Sequence, residues 1–355
     1  MKAPVRHKNS EADLDAAMQI AIGAAESARG FTSPNPAVGA VVLDSSGRIA
    51  GVGMTQPPGG PHAEVVALRE AGDAARGGTA LVTLEPCNHQ GRTGPCSQAL
   101  INAGVVAVYY AVGDPNQEAA GGAETLASAG IEVGAGLREQ EVERGPLRAW
   151  LHRQRTGRPH VTWKYAATLD GRSAAADGTS RWITGPDARE RVHADRAKLD
   201  AIVVGTGTVL ADNPRLTARM ADGSLAAHQP VRVVVGLTEI PVSAHILDDS
   251  APTLLLRTRN VDEVLAALAE YTDVLLEGGP RLAGAFLSAG RIDRIQAYLA
   301  PLVLGAGTAA VAEAGVRTID AALRFRHESV ETIGTDLLLS LVPAGVGNLD
   351  SPQNP

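Results

Sequence analysis

The order of apolar and polar positions predicts alternating helices and strands in the first half of the chain. Residues 62–75 place Val65, Leu68 and Ala71 at the spacing of one helical face. Residues 79–84 (TALVTL) form a short continuous apolar run, which is typical of a buried strand. The other predicted elements are a helix at 11–28, two strands joined by the turn 44–47, a short helix from Cys96 to Gly104 and a strand at 105–112. This order predicts an α/β/α sandwich.

A second α/β series follows a basic stretch at 147–159 that carries Gly157 and Pro159. Its first helix is expected to start at Thr184, just before Pro186. The predicted strands are 160–168, 201–205, 231–236, 253–257, 273–279 and 293–305, and the predicted helices are 186–199, 261–270 and 281–289. The 355 residues are enough for two cores. We therefore predict a first domain at 1–148, a linker at 149–159, a second domain at 160–342 and a disordered tail at 343–355.

The clearest chemical signal is the pair of cysteines, Cys87 and Cys96, which follow His62 and Glu64 along the chain. One imidazole and two thiolates supply three ligands to a tetrahedral zinc ion and leave the fourth position open to water. Zinc-dependent nucleobase deaminases use such His-x-Glu and Pro-Cys segments, with the glutamate moving protons. A disulfide and a structural zinc site are the alternatives. The polar N-terminus has no apolar secretion segment, which disfavours the disulfide.

Composition narrows the classes of partner. The net charge of −7 disfavours a nucleic-acid ligand, which requires a basic surface. Aromatic residues make up 3% of the chain, too few for the stacking platforms of single-strand binders. The sequence has no apolar run approaching the roughly 20 residues of a membrane span. We expect a cytoplasmic enzyme that acts on a small molecule.

Two glycine-containing turns in the second half are candidate cofactor contacts. The segment 277–280 (EGGP) ends a predicted strand and opens a helix, so it fits either a phosphate cradle or a tight strand–helix turn. The segment 205–208 (GTGT) also follows a buried strand. It lacks the dinucleotide-binding fingerprint G-x-G-x-x-G, because position 210 is leucine.

Over about residues 12–340, these features resemble the RibD family, whose members are bifunctional deaminase–reductases of riboflavin biosynthesis. Eight residues separate the two cysteines, whereas ordinary cytidine deaminases have two residues between them. The matching motifs are 33–39 (SPNPAVG), 62–64 (HAE), 83–96 (TLEPCNHQGRTGPC), 164–175 (KYAATLDGRSAA), 180–184 (SRWIT), 208–214 (TVLADNP) and 277–279 (EGG). The chain departs from the family pattern at Gln90 and at 117–120, after the segment 114–116.

The resemblance implies a cytidine-deaminase-like α/β/α sandwich followed by a dihydrofolate-reductase-like α/β domain. It implies one zinc ion and NADPH as cofactors. The implied reactions are removal of the 2-amino group of 2,5-diamino-6-ribosylamino-4(3H)-pyrimidinone 5′-phosphate, and then reduction of the ribosyl group to ribityl. It also implies association into homodimers or higher homo-oligomers, with neither nucleic acid nor a membrane as partner.

The resemblance also assigns site residues. Glu64 would be catalytic, and His62, Cys87 and Cys96 would bind the metal. The cofactor would contact Ala166, Trp182, Thr208, Asp212, Gly279, Pro280, Arg281, Leu282, Ala283, Gly284 and Ala285. The substrate would contact Asn35, Lys164, Ser180, Arg196, Leu216, Arg219 and Glu277, with the two arginines on its phosphate and the loop 91–93 beside it.

Alternatives remain open at this point. Arg196 also fits a solvated helix residue, and Trp182 also fits a core aromatic. For the whole chain, one alternative is a deaminase of another aminopyrimidine or nucleoside fused to a pterin-type reductase. The other is a non-catalytic, zinc-stabilised binding module.

Overall fold

The computed structural model describes residues 9–89 and 94–345. The chain divides into two compact units, Met1–Arg158 and Pro159–Pro355. No helix in the described ranges combines the length and the apolar character that a membrane span requires.

The first unit is a mixed sheet with helices. Its elements are α1 (Glu11–Ala28), β1 (Gly39–Leu43), β2 (Ile49–Met54), α2 (Ala63–Ala71) with a 3₁₀ turn (Gly72–Ala75), β3 (Thr79–Leu84), α3 (Cys96–Ala103), β4 (Ala107–Val112), α4 (Gly122–Ser128), β5 (Glu132–Ala135), α5 (Glu139–Arg144) and α6 (Arg148–Thr156). The strand order is β2-β1-β3-β4-β5. β1 is antiparallel to both neighbours, and β3, β4 and β5 run parallel.

Helix α2 lies unusually close to the sheet because β2 presents glycines to it. A Cβ atom built on Gly51 would lie 2.2 Å from the carbonyl oxygen of Ala67, and one built on Gly53 would lie 2.1 Å from that of Ala63. Only hydrogen at these positions allows such an approach. The glycines therefore set the depth of the helix that follows His62.

The second unit is built on a larger sheet. Its elements are β6 (His160–Thr168), β7 (Arg172–Ala174), α7 (Pro186–Arg196), β8 (Ala201–Gly205), α8 (Thr206–Asp212), β9 (Val231–Val235), a 3₁₀ turn (His245–Leu247), β10 (Thr253–Leu256), α9 (Val261–Ala267), β11 (Asp273–Leu276), α10 (Pro280–Ser288), β12 (Arg294–Ala300), β13 (Thr308–Ala309), β14 (Phe325–Ile333) and β15 (Asp336–Pro343). The strand order is β10-β9-β8-β11-β6-β12-β15-β14, and β13 pairs with β7 in a separate small sheet.

The parallel part of this sheet brings distant segments together. β10, β9, β8, β11, β6 and β12 run parallel, whereas β15 is antiparallel to both of its neighbours, β12 and β14. Leu276 of β11 pairs with Trp163 of β6, so the next residue along each strand, Glu277 and Lys164, comes to the same level. The carboxyl ends of parallel strands are where α/β sheets usually place ligands.

Several element predictions are confirmed, and the differences have local causes. The structure has the predicted strands 79–84, 160–168 and 201–205 and the predicted helix 11–28. The α-helical part of 62–75 ends at Ala71, because Gly72 adopts a positive φ of 52°. The predicted helix 186–199 begins at Pro186 as expected, but Gly185 and not Thr184 is its N-cap, and it ends at Arg196.

The segment predicted as a linker contains a helix. Residues 148–156 form α6, because Ala149, Trp150 and Leu151 are buried while the arginines face outward. The predicted tail begins at Pro343, which is the last residue of β15, and residues 346–355 lie outside the described residues. Helix α8 and the hairpin of β14 and β15 were not predicted.

Candidate metal centre and charged cluster of the second unit

Three side chains converge in the first unit. Among the described residues, His62, Cys87 and Cys96 form a group whose ligand atoms all lie within 4.8 Å of one another. The His62 Nδ1 atom is 3.6 Å from Cys87 Sγ and 3.3 Å from Cys96 Sγ. This is the trio predicted from the sequence.

The local structure explains why the trio meets. His62 is the N-cap of α2, Cys87 comes soon after β3, and Cys96 is the first residue of α3. The backbone N–H of Cys96 donates to Cys87 Sγ over 3.5 Å. A helix N-terminus favours a thiolate, because its N–H groups and dipole stabilise negative charge.

The electrostatics of the trio favour negative charge on Cys87. The hydrogen bond with Cys96 lowers the pKa of the Cys87 thiol, and His62 adds to this effect. The same thiol–thiol contact raises the pKa of Cys96. The pKa of His62 is raised, chiefly by its contact with Cys87.

Glu64 lies in the first turn of α2 and is only 5% exposed. Burial raises the pKa of its carboxyl group, and the negative charge of Cys87 acts in the same direction. A carboxyl group with a raised pKa can take up and return a proton near neutral pH. Because His62, Cys87 and Cys96 all act on the Glu64 carboxyl group, the predicted proton carrier lies beside the trio.

The donor set fits zinc. Zinc prefers nitrogen and sulfur ligands, and a set of three protein ligands leaves one coordination position for water or substrate. Structural zinc sites usually have four protein ligands. The three donors at this site are the pattern of a catalytic zinc centre.

A second cluster of charges lies in the second unit, around Glu277. Arg196 donates from Nε to Oε1 and from Nη2 to Oε2 of Glu277, each over 2.8 Å. Lys164 Nζ is 3.7 Å from Oε2 of the same carboxylate. All three side chains are largely buried.

These contacts shift the pKa values of Glu277 and Lys164. Burial opposes the charge on Glu277, but Arg196 and Lys164 outweigh it and hold the pKa of the carboxyl group at about 2. Burial lowers the pKa of Lys164, and Glu277 opposes that shift. The ring of Tyr298 lies under Lys164, with Nζ 5.7 Å from its centroid.

Arg196 is therefore a buried ion-pair partner, and its alternative as a solvated helix residue is wrong. Its Nη1 also donates to the carbonyl oxygen of Thr217 over 3.2 Å. The resemblance implies that Arg196 makes bidentate hydrogen bonds to a substrate phosphate. In this structure it makes them to Glu277. Two of the five guanidinium N–H groups remain beyond these three hydrogen bonds.

The predicted cofactor residues are brought together in part. The backbone N–H of Gly279 donates to Thr208 Oγ1 over 3.2 Å, which joins the start of α10 to α8. Arg181 Nη2 donates to the carbonyl oxygen of Asp212 over 2.5 Å. Trp182 is 66% exposed, so it is not a core aromatic, and its ring lies 4.5 Å from the Arg189 guanidinium.

Among the other predicted cofactor residues, some lie beside the charged cluster and others pack in the protein core. Ala166 pairs across strands with Tyr298, beside the charged cluster. Ala283 is fully buried, and a Cβ atom on Gly284 would lie 2.2 Å from the carbonyl oxygen of Glu313, so these two positions pack against protein. The segment 279–285 is thus partly a helix face in the core.

The remaining predicted substrate residues are more dispersed. Leu216 is buried with a positive φ of 52°, which is unusual for leucine. Arg219 Nη1 donates to the carbonyl oxygen of Gly223 over 2.7 Å. Ser180 is half-buried, and Asn35 is exposed in the first unit. The loop 91–93 lies outside the described residues.

Comparison with known proteins decides the family. Residues 159–339 match the RibD C-terminal domain, and residues 11–112 match the cytidine and deoxycytidylate deaminase zinc-binding region. The riboflavin biosynthesis protein RibD of Mycobacterium tuberculosis (strain H37Rv) is 59% identical over 329 residues, which cover 93% of this chain and 97% of that protein. The chain belongs to the RibD family. RibD of Escherichia coli (strain K12) is 38% identical, over 92% of this chain and 98% of that protein.

Solved RibD structures share the fold. Acinetobacter baumannii RibD, form 1, matches with a TM-score of 0.83 and 37% identity, covering 94% of this chain and 99% of that chain. A Thermotoga maritima protein described as diaminohydroxyphosphoribosylaminopyrimidine deaminase/5-amino-6-(5-phosphoribosylamino)uracil reductase matches with a TM-score of 0.85 and 32% identity, with the same coverage. The predicted fold class is confirmed: a cytidine-deaminase-like unit precedes a dihydrofolate-reductase-like RibD C-terminal domain. The chain is a bifunctional deaminase and reductase of riboflavin biosynthesis.

Two residues that lie against these clusters were not among the predicted site residues. Tyr298 lies under Lys164, and Glu85 accepts three backbone hydrogen bonds beside Cys87. Glu85 carried a signal, because it is a charged residue directly after the fully buried strand β3. For Tyr298, the sequence holds no comparable signal, since its role depends on the pairing of β12 with β6.

Proposed function

We propose that the chain catalyses two consecutive steps on one pyrimidine. The first removes the 2-amino group of 2,5-diamino-6-ribosylamino-4(3H)-pyrimidinone 5′-phosphate as ammonia, and the second reduces the ribosyl group to ribityl with NADPH. The convergence of His62, Cys87 and Cys96 beside the buried Glu64 is the observation that carries this proposal. The names printed for RibD relatives support the choice of substrate.

For the deamination, His62, Cys87 and Cys96 would hold zinc, which when bound supplies the Lewis acidity that activates water at neutral pH. Glu64 would take a proton from the attacking water and return it to the ring nitrogen and then to the departing amine. Its burial supports this role, because a raised pKa lets one carboxyl group both accept and donate. The products are a carbonyl group in place of the amine, and ammonia.

For the reduction, NADPH supplies the hydride, and the protein aligns it with C1′ of the sugar. The buried charges of Lys164, Arg196 and Glu277 would bind the polar pyrimidine and its sugar phosphate. The hydrogen bond between Gly279 and Thr208 supports a cofactor site at the start of α10 and α8. Arg196 keeps two N–H donors for the phosphate while it holds Glu277.

We also propose that the chain forms a homodimer through the second unit. Val303 and Ile319 are 70% and 81% exposed, and Leu323 is also exposed in the same stretch of chain. Strand β14 is an edge strand with unpaired backbone groups. Exposed apolar side chains and an open edge suit a second copy of the chain. Sedimentation of wild type and Ile319→Asp tests this proposal, and a monomeric wild type would contradict it.

Substrate profiling tests the proposed reactions. We expect ammonia release from the phosphorylated diaminopyrimidinone, and far less from its dephosphorylated form or from cytidine. We expect oxidation of NADPH with the deaminated phosphate. Equal turnover with and without the phosphate would contradict the assignment and favour a deaminase of another aminopyrimidine or nucleoside.

A further inference from the structure

The loop between β4 and α4 covers the cysteine side of the metal centre. Ala119 of this loop is buried against Cys87 and Cys96, together with Val65 of α2. The backbone N–H of Asn88 donates to the carbonyl oxygen of Ala119 over 2.8 Å. The loop is therefore a wall of the site, although it carries none of the three metal ligands.

A single carboxylate holds both ends of this loop. Glu85 Oε2 accepts from the backbone N–H of Asp114 over 3.2 Å. Glu85 Oε1 accepts from the backbone N–H groups of Gly121 and Ala123 over 3.2 and 3.1 Å. A carboxylate that accepts several N–H donors makes stronger hydrogen bonds than a neutral acceptor does.

Glu85 accepts a hydrogen bond that an N-cap side chain of α4 would otherwise accept. The N-cap of α4 is Gly121, which has no side chain with which to accept from the first turn of the helix. Glu85 supplies that acceptor from the end of β3. The fit is close: a Cβ atom built on Gly122 would lie 1.7 Å from the carbonyl oxygen of Pro86. The start of α4 thus rests directly on the turn that presents Cys87.

We propose that Glu85 is a positioning residue of the deaminase. It fixes the loop 114–123 so that Ala119 covers Cys87 and Cys96. Glu85 acts through the loop and not on the reacting atoms. This inference rests on the proposed deamination.

Three variants test whether Glu85 positions the loop 114–123 or only stabilises the fold of the first unit. Glu85→Ala removes all three acceptor contacts. Glu85→Gln keeps the shape of the side chain, but its amide nitrogen cannot accept a hydrogen bond from a backbone N–H group. It therefore restores only part of the three contacts. Glu132→Gln is the matched control, because Glu132 is an exposed glutamate on β5 of the same unit. Reductase activity on the deaminated phosphate serves as an internal control within each chain.

In zinc-loaded full-length protein, we expect Glu85→Ala to lower the kcat/KM of ammonia release by about a hundredfold, as misplacement by an ångström can do. Glu85→Gln should fall between Glu85→Ala and wild type, Glu132→Gln should match wild type, and reductase activity should stay within about twofold in all three. Zinc should leave Glu85→Ala faster than it leaves wild type. Amide hydrogen exchange should rise at Asp114, Gly121 and Ala123.

The outcomes that overturn the inference are distinct from failure of the proposed reaction. Unchanged ammonia release in Glu85→Ala, or equal loss of both activities in that variant, would overturn the positioning role. If wild type releases no ammonia from the pyrimidine, the proposed reaction fails. Zinc dissociation and hydrogen exchange then decide the role of Glu85, and unchanged values in Glu85→Ala would overturn it.

Discussion

Arg196 and Glu277 form a two-point ion pair, with both N–H···O distances at 2.8 Å, although 81 positions separate them in the chain. Arg196 ends α7 and Glu277 follows β11, so the pair joins a helix to the carboxyl edge of the sheet. Lys164 approaches the same carboxylate from β6. The pair therefore organises the charged cluster that we assign to the reductase.

Arg196→Lys should damage the reductase and spare the deaminase. Lysine keeps the charge but cannot make two parallel hydrogen bonds, so we expect the kcat/KM of NADPH oxidation to fall by about ten- to a hundredfold. Ammonia release from the same preparation should remain at the wild-type rate. Equal loss of both activities would show that the variant disturbs the fold instead of the site.

The same pair makes stability depend on pH. The pKa of Glu277 is about 2 in the folded protein, below its ordinary value of 4.5. A lowered pKa stabilises the fold above the ordinary value, and this stabilisation is lost as the pH falls from about 5 toward 2. Denaturant unfolding of wild type should therefore weaken over that range, and Glu277→Gln should weaken less steeply. Parallel pH dependences in the two proteins would contradict the assigned pKa.

Gly53→Ala should destabilise the unit that holds the metal centre. The added Cβ atom would lie 2.1 Å from the carbonyl oxygen of Ala63, so α2 must move away from β2. Overpacking of this kind typically costs about 1–3 kcal/mol. The matched control is Gly23→Ala in α1, where a Cβ atom has nothing within 4 Å. That control should gain up to about 1 kcal/mol from helix propensity, and thermal unfolding compares the two.

Glu64→Gln should keep zinc and lose deamination. Glu64 is placed beside the trio without being one of its three ligands, so metal content should match that of wild type. The amide cannot carry a proton from water to the ring, and ammonia release should fall by at least about a hundredfold. Unchanged ammonia release at full zinc occupancy would exclude the proton-carrying role.

The metal centre was predictable because each of its parts has a local sequence signal. Pro95 before Cys96 and Gly104 after Ala103 bracket α3, and Gly104 adopts the expected positive φ of 76°. The apolar run of β3 predicts the strand that delivers Cys87. These signals span only a few residues each, so they need no knowledge of the tertiary fold.

The charged cluster and the outer strands were less predictable, for physical reasons. The approach of Lys164 to Glu277 depends on the register of β11 with β6, which no local pattern reveals. Strand β14 is an edge strand in which no residue is fully buried, so it lacks a clear alternation of apolar and polar residues. Helix α6 was not predicted because its sequence lacks the apolar spacing of one helical face. Its buried residues are three adjacent ones, Ala149, Trp150 and Leu151, among several arginines.

The most direct test of the account follows ammonia release and NADPH oxidation together on the diaminopyrimidinone phosphate, with and without a zinc chelator. We expect ammonia to appear first and NADPH oxidation to follow. Chelation should stop the ammonia release but leave the reduction of added deaminated phosphate unchanged. Ammonia release that persists in protein shown to be free of zinc, or NADPH oxidation without prior deamination, would contradict the account.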